Sequence, residues 1–195
     1  MSRIVVLGGG ESGVGSAVLA KVKGYDVFLS DMGKISENYV AMLNKWEIPT
    51  DTSDSGKRIL PDIAAAVLGQ LEARNIPKSQ VMGIGIAVPG PVLPDGTVNQ
   101  CVNLGWGIFN VQTTLSALTG LPVRAGNDAN VAALGEYWQG GGKVFRDLVM
   151  VTLGTGVGGG VILDGRILTG FSGAGGEIGH MTLHREETVP CNCGK

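Results

Sequence analysis

Charge is scarce in this chain. Asp, Glu, Lys and Arg make up only 16% of its 195 residues, and they nearly cancel, leaving a formal charge of −2. Without a basic excess there is no electrostatic footprint for nucleic acid or for an anionic membrane surface. The scarcity does not signal disorder, which combines high charge with low hydrophobicity. Hydrophobic residues reach 44% and mean hydropathy is +0.23. Long apolar runs are missing too: none approaches the ~20 residues of a membrane span, and the N-terminus reads as a strand rather than a signal peptide. Cysteine is rare. Cys101, Cys191 and Cys193 are too few and too oddly spaced for a disulfide framework, which points to a reducing, cytoplasmic compartment. What the chain has in excess is glycine, 33 of 195 residues or about 17%, against a usual ~7%. No Gly-X-Y period accompanies it, so collagen is excluded. In a globular α/β chain such an excess belongs in tight turns that approach phosphates.

Strand and helix signals alternate, which argues for the α/β class. Residues 4–7 form a short apolar run, as in a strand buried on both faces. A helical stretch through Val18, Leu19 and Val22 stops at Gly24, and residues 26–29 form a second strand ending at Ser30-Asp31. From about Ser36 to Trp46, the spacing of Tyr39, Val40, Leu43 and Trp46 predicts one face of a helix. Polar turn formers fill residues 49–56, a loop or linker. Beyond it, Ile63, Val67, Leu68 and Leu71 line a helix with Pro61 near its first turn. Residues 81–88 and 123–126 read as strands, and 111–119 as a helix closed by Gly120. Asp128 opens another helix, residues 148–153 another strand, and Asp164-Gly165 suits the type I′ turn of a hairpin. That hairpin predicts a mixed sheet rather than a purely parallel one.

The glycines fall into loops of different design. Gly8, Gly10 and Gly13 fit G-x-G-x-x-G between a strand and a helix, with Asp31 ending the next strand, as a dinucleotide fingerprint requires. Backbone N–H groups of Gly10, Ser12 and Gly13 could approach a phosphate at a helix N-terminus; the plainer alternative is a tight turn that merely needs glycine. The second loop, Leu153-Gly154-Thr155-Gly156-Val157-Gly158-Gly159, joins two strands and could wrap a phosphate through successive N–H groups, or be an ordinary hairpin loop. Asp128, after Asn127 at a strand end, could point into a cleft or simply cap a helix. Glu177 and His180, in Gly175-Gly176-Glu177-Ile178-Gly179-His180, could face one site or lie in a polar surface loop. His180 or His184 with Cys191 and Cys193 supplies three plausible zinc ligands, where structural zinc takes four; free thiols in a tail are the alternative.

Two resemblances organise these motifs. Arg3-Ile4-Val5-Val6-Leu7-Gly8-Gly9-Gly10-Glu11-Ser12-Gly13-Val14-Gly15, followed by Lys23 to Asp31, resembles the N-terminus of the Mur ligase family member that adds D-glutamate to UDP-N-acetylmuramoyl-alanine. There the loop would cradle the UDP part of the substrate. From Trp46 onward the chain resembles the ROK family (repressors, open reading frames and kinases), and within it the bacterial glucokinases. The carrying motifs are Gly83-Ile84-Gly85-Ile86-Ala87-Val88-Pro89-Gly90-Pro91, Asn103-Leu104-Gly105-Trp106, Asn127-Asp128-Ala129-Asn130-Val131-Ala132-Ala133-Leu134-Gly135-Glu136, the loop 153–159, Gly173-Ala174-Gly175-Gly176-Glu177-Ile178-Gly179-His180 and Cys191-Asn192-Cys193-Gly194.

The ROK resemblance implies an actin-like (ribonuclease H-like) two-lobed fold, with ATP and a hexose, glucose first, meeting in the cleft. Asp128 would be the general base, and Gly90, Asn103, Asn127, Glu177 and His180 would bind the sugar. Gly154, Thr155 and Gly156 would contact ATP phosphates, with Mg2+ travelling with ATP. Zn2+ would be held by His180, Cys191, Cys193 and a further cysteine, in whose place His184 could serve. A homo-oligomer is implied as well. The two resemblances divide the chain into a Rossmann-like β-α-β unit over 1–45, a partial small lobe over 46–122 and a partial large lobe over 123–195. The ROK kinases open on Asp-x-Gly-Gly-Thr, a first phosphate loop for which Mur-ligase-like sequence stands here. An incomplete kinase fold with little activity is therefore expected, with the N-terminal unit packed beside the kinase-like part. Pairing of strand 4–7 with strand 81–88 is the alternative, and residues 148–153 should be incompletely covered. Two other functions stay open: a UDP or nucleotide-sugar binding module, and a sugar-responsive regulator, for which no helix-turn-helix is evident.

Overall fold

Aliphatic runs and short glycine turns dictate most of the strands. The computed structural model describes residues 3–7, 26–31, 44–153 and 156–182, with side chains from residue 48 onward apart from Gln139. In chain order the main elements are β1 (Arg3–Leu7), β2 (Asp26–Asp31), β3 (Asn44–Glu47), α1 (Ile59–Ala73), β4 (Val81–Val88), β5 (Thr97–Val98), β6 (Phe109–Asn110) and α2 (Val111–Thr119). They continue with β7 (Val123–Asn127), α3 (Asp128–Gln139), β8 (Leu148–Leu153), β9 (Val157–Leu163) and β10 (Arg166–Ile167). The α/β class is observed. Among the described residues no helix is long and apolar enough to cross a membrane.

One sheet has five strands in the order β3-β2-β1-β4-β7, and every neighbouring pair in it is parallel. This corrects two expectations. The N-terminal strand does not pack beside the kinase-like part: Ile4 pairs opposite Gly83 and Leu7 opposite Ile86. The edge of β4 away from β7 presents unpaired N–H and C=O groups, and the aliphatic run of β1 satisfies them whatever its connection to β2. Because β1 leads into a crossover rather than a hairpin, β2 lies parallel to it. The sheet is also not mixed. The Asp164-Gly165 turn has positive φ at both residues, 52° and 73°, as a type I′ turn requires, but its strands form a separate antiparallel sheet, β10-β9-β8.

A third correction concerns Trp46. The helical spacing through Trp46 does not extend to it, since β3 places Trp46 opposite Ser30 of β2. An aromatic residue suits a strand, and the free edge of β2 supplies the pairing. Residues 36–43, like the Gly8–Gly13 loop and the helix expected after it, lie outside the described residues.

The main core forms where α1 meets the sheet. Leu60, Ala64, Val67 and Leu71 recur at helical spacing and bury in one cluster with Val81, Ile84, Ile86 and Val88 of β4 and Val111 and Leu115 of α2. Helix α2 begins and ends as its sequence dictates. The Asn110 side chain accepts the Thr113 N–H at 2.9 Å, and Gly120 closes the helix in the left-handed conformation at φ 71°. Because the Asn110 amide also donates to Asp95 O at 2.8 Å, Asn110→Ala should lower stability by about 1–2 kcal/mol, read as a shifted urea midpoint with an unchanged slope.

A smaller core lies between α3 and the second sheet, around Ala132, Ala133 and Ile162. The opposite face of that sheet is bare: Val149, Val151 and Leu153 are 61%, 52% and 81% exposed. The incomplete cover expected of this strand is thus present among the described residues.

Candidate functional site

Strands β4 and β7 run in register, with Val88 opposite Asn127. Both therefore leave the sheet at the same carboxyl edge, β4 into Pro89-Gly90 and β7 into Asp128. Chain order runs outward from β1 to β3 on one side and from β4 to β7 on the other. The direction reverses between β1 and β4, and in open α/β sheets the crevice at such a reversal, beyond the carboxyl ends, is where ligands bind.

Asn127 is the hinge of this edge. Its Oδ1 accepts the Asn130 N–H at 3.0 Å and caps α3, while its Nδ2 donates to Gly90 O at 3.2 Å. The capping role that Asp128 could have filled belongs to Asn127 instead. Asp128 occupies the first turn, its Oδ1 accepting the Ala129 N–H at 2.8 Å. Loss of hydration pushes its carboxyl above the ordinary value of 3.8; the Ala129 N–H opposes this, and the Glu177 carboxylate pushes the same way. A carboxyl raised by its surroundings at a cleft edge has the properties of an acid-base group.

Glu177 reaches this edge from the loop after β10, which packs against the start of β9. Gly176, at φ +88°, lets the chain turn tightly, and a single 3-10 turn over Ile178–His180 follows. The His180 ring then lies with Nδ1 3.0 Å from Glu177 Oε2. Asn103 sits exposed in a turn closed by Cys101 and Trp106, which exchange backbone hydrogen bonds at 3.0 Å in both directions. The Cys101 thiol donates to Pro89 O at 2.8 Å, tying the Asn103 turn to Pro89-Gly90. Burial raises that thiol's pKa, and the field of Asp128 adds to the rise.

Gly90, Asn127, Asp128, Glu177 and His180 are thus gathered around one carboxyl edge, with the Asn103 turn bonded to it. Gly156 stands just ahead of β9 with open space around it. Gly154 and Thr155, Gly10, Ser12 and Gly13, and the cysteines Cys191 and Cys193 with His184 lie outside the described residues. Among the described residues no three His, Cys, Asp or Glu groups assemble as a metal site; the ligands expected for zinc beside His180 lie outside them.

Three features of this region were not read from the sequence. Gly158, Gly159 and Gly160 belong to β9 rather than to a phosphate turn, and they let α3 and the Gly176 loop approach closely. A Cβ on Gly159 would stand 2.6 Å from Gly176 O, and one on Gly160 2.9 Å from Ala129 O. The signal was available: small residues in a strand match Ala129, Ala132 and Ala133 on the facing helix. The Cys101 thiol bond is the second feature, and the burial of Asn130 is the third.

The ROK family model matches residues 34–195. The chain belongs to the ROK family. The match begins earlier than residue 46, so the ROK portion includes β3. A glucokinase of Halalkalibacterium halodurans is 44% identical over 169 residues, 86% of this chain and 49% of that protein. A xylose repressor of Caldicellulosiruptor bescii is 38% identical over 124 residues, 63% of this chain and 31% of the repressor. Among solved structures, a ROK family glucokinase from Streptomyces griseus in complex with glucose and AMPPNP superposes with a TM-score of 0.64. It is 34% identical and covers 76% of this chain, which covers 45% of it. This ROK chain spans about half the length of the glucokinases it matches.

Proposed function

We propose that this chain carries the sugar-facing part of a hexose kinase site, at which ATP phosphorylates glucose or a close relative of it. The observation that carries the reading is Asp128. It is a first-turn carboxylate with a raised pKa at the carboxyl edge, with the Glu177–His180 pair close by. In the reaction, ionised Asp128 takes the proton of the sugar hydroxyl as that oxygen attacks the γ-phosphorus and ADP leaves. Phosphoryl transfer asks mainly for positioning and charge stabilisation, so one in-line carboxylate suffices as base. Gly90, Asn103, Asn127, Glu177 and His180 hold sugar hydroxyls; Gly154, Thr155 and Gly156 contact the phosphates, and Mg2+ accompanies ATP. His180, Cys191 and Cys193 would hold a structural zinc. Similarity to the Halalkalibacterium halodurans glucokinase and to the glucose complex from Streptomyces griseus supports this reading. Turnover is expected to be slow, because the Asp-x-Gly-Gly-Thr opening of the family is replaced by Gly8-Gly9-Gly10-Glu11-Ser12-Gly13.

A second reading is favoured by the register of β1. Leu7 lies opposite Ile86 in the parallel pair, so the chain enters Gly8 at the carboxyl edge shared with Asp128. Gly10, Ser12 and Gly13 would there take a nucleotide phosphate. Amide hydrogen exchange tests both readings. Glucose at millimolar concentration should protect residues around Gly90, Asn127-Asp128 and Glu177, and no protection there would remove the sugar reading. UDP or ATP should protect residues 10–15, and unchanged exchange in that segment would remove the nucleotide reading alone.

A further inference from the structure

The turn that carries Asn103 is tied down at both of its ends. Cys101 and Trp106, which close it, are 1% and 6% exposed, while Asn103 between them is exposed. One tie is the Cys101 thiol on Pro89 O. The other is the Trp106 indole, whose Nε1–H donates to Gly56 O at 3.1 Å, across 50 residues of chain. The same indole meets Phe109 edge to face, with ring centroids 5.1 Å apart. A buried indole N–H needs an acceptor, and here it finds one in a distant backbone carbonyl.

The backbone that receives this bond is unusual. Asp54, Ser55 and Gly56, just ahead of α1, are all left-handed, at φ 47°, 57° and 64°. Residues with side chains rarely take that conformation and keep it only where their surroundings impose it. The Asp54–Lys57 ion pair lies at the surface, where such a pair is too weak to do so. The Asn103 turn is the closer neighbour. A Cβ on Gly105, itself at φ 71°, would stand 3.1 Å from Ser55 Cα. One on Gly56 would clash with Leu104 O and stand 2.7 Å from Trp106 Nε1. The two turns meet backbone to backbone, with the indole bond between them.

We propose that Trp106 is a positioning residue for Asn103. Its indole bond to Gly56 O seats the 102–105 turn on the left-handed turn ahead of α1, and so sets where Asn103 stands beside Pro89-Gly90. Trp106 is buried and acts only through the turn it closes. The consequence for ligand binding rests on the sugar-site reading; the seating of the turn does not.

The test combines Trp106→Phe, which keeps a ring against Phe109 and removes the donor, with Asn103→Ala and the double variant. Amide exchange and glucose titration are the readouts. The amides of residues 105 and 106 bond Val102 O and Cys101 O. With Gly56 O left unpaired, they should exchange roughly five- to tenfold faster in Trp106→Phe, while residues 64–71 of α1 keep their rates. Glucose should bind more weakly by a similar factor. Because the effect runs through Asn103, the double variant should bind glucose no more weakly than Asn103→Ala alone. Effects that add, unchanged exchange at 105 and 106, or a uniform rise that includes α1 would each overturn the proposal, since a plain packing role produces one of them. If Trp106→Phe fails to fold, the indole N–H of the parent chain decides. Exchange as fast as that of Trp138, which is 63% exposed, overturns the proposal, and clear protection supports it. If the parent chain binds no glucose, the sugar-site reading fails while the exchange result still judges Trp106.

Discussion

Asp128→Asn is expected to lower glucose-dependent ADP formation by about 10²–10⁴-fold, the usual contribution of a positioned general base, while making the fold more stable at neutral pH. The two effects have one cause. Asp128 is held where its charge is poorly hydrated and where the Glu177 carboxylate repels it, so its folded pKa lies above the ordinary 3.8. The folded chain therefore holds this proton more tightly than the unfolded chain does. The stability that follows is fully present below about the ordinary carboxylate pKa and is lost as pH rises through the raised folded value. At pH 7 the ionised carboxylate is a cost, which asparagine removes while keeping an oxygen for the Ala129 N–H. Thermal unfolding at pH 7 should give a higher Tm for Asp128→Asn than for the parent chain. The difference should shrink as the pH falls toward 4. A coupled ADP assay supplies the other half. Equal Tm values across this range would show that Asp128 is not strained, and unchanged ADP formation would remove it as the base. Gain of stability with loss of activity is the pattern expected where a site is built against the preferences of the fold.

How much of this could be seen in the sequence depended on how local the physics was. The helix Val111–Thr119 and its Gly120 close were legible because caps act within a few residues. So was the Asp164-Gly165 turn, where two positive φ values need residues that tolerate them. The strand-to-helix step at Asn127-Asp128 was legible for the same reason, and the Glu177 and His180 spacing did bring the two side chains together. The failures are non-local. Nothing in residues 4–7 says that their partner lies at residues 83–86, because any open parallel edge would satisfy them. Trp46 fitted a helical period only because a strand of four residues is too short to show its own. Glycine misled most. A Gly-rich run reads alike whether it clears space for a phosphate or for a helix, and only the facing residues tell the two apart.

Gly160→Ala puts that distinction to a quantitative test. Gly160 lies in β9 opposite Met150 of β8, with α3 packed directly over it. A methyl group there would clash with the Cβ of Ala133, which is fully buried, and would stand 2.9 Å from the backbone oxygen of Ala129. Neither neighbour is a flexible side-chain end that can swing aside, so α3 must move outward as a body. Overpacking of this kind costs about 1–3 kcal/mol, and the urea midpoint should fall accordingly. Because Asp128 forms the first turn of that helix, displacement carries it away from the position proposed for the sugar hydroxyl. A misplacement of ~1 Å can cost about 10²-fold in rate, so ADP formation should drop far more than the stability loss alone would explain. Gly156→Ala is the contrast. Nothing lies within 4 Å of its would-be Cβ, so stability should stay within about 0.5 kcal/mol of the parent, and any loss of turnover would report on phosphate approach. Ala133→Gly added to Gly160→Ala separates steric displacement from chemistry. It removes the nearest clash and leaves only the 2.9 Å approach to Ala129 O, so although glycine within a helix costs roughly 1 kcal/mol, α3 can move most of the way back to its seat. Recovery of turnover in the double variant without full recovery of stability would mean that the glycine serves helix packing, and through it the placement of Asp128. A double variant as slow as Gly160→Ala would mean that the remaining contact with Ala129 O is enough to hold α3 out of place.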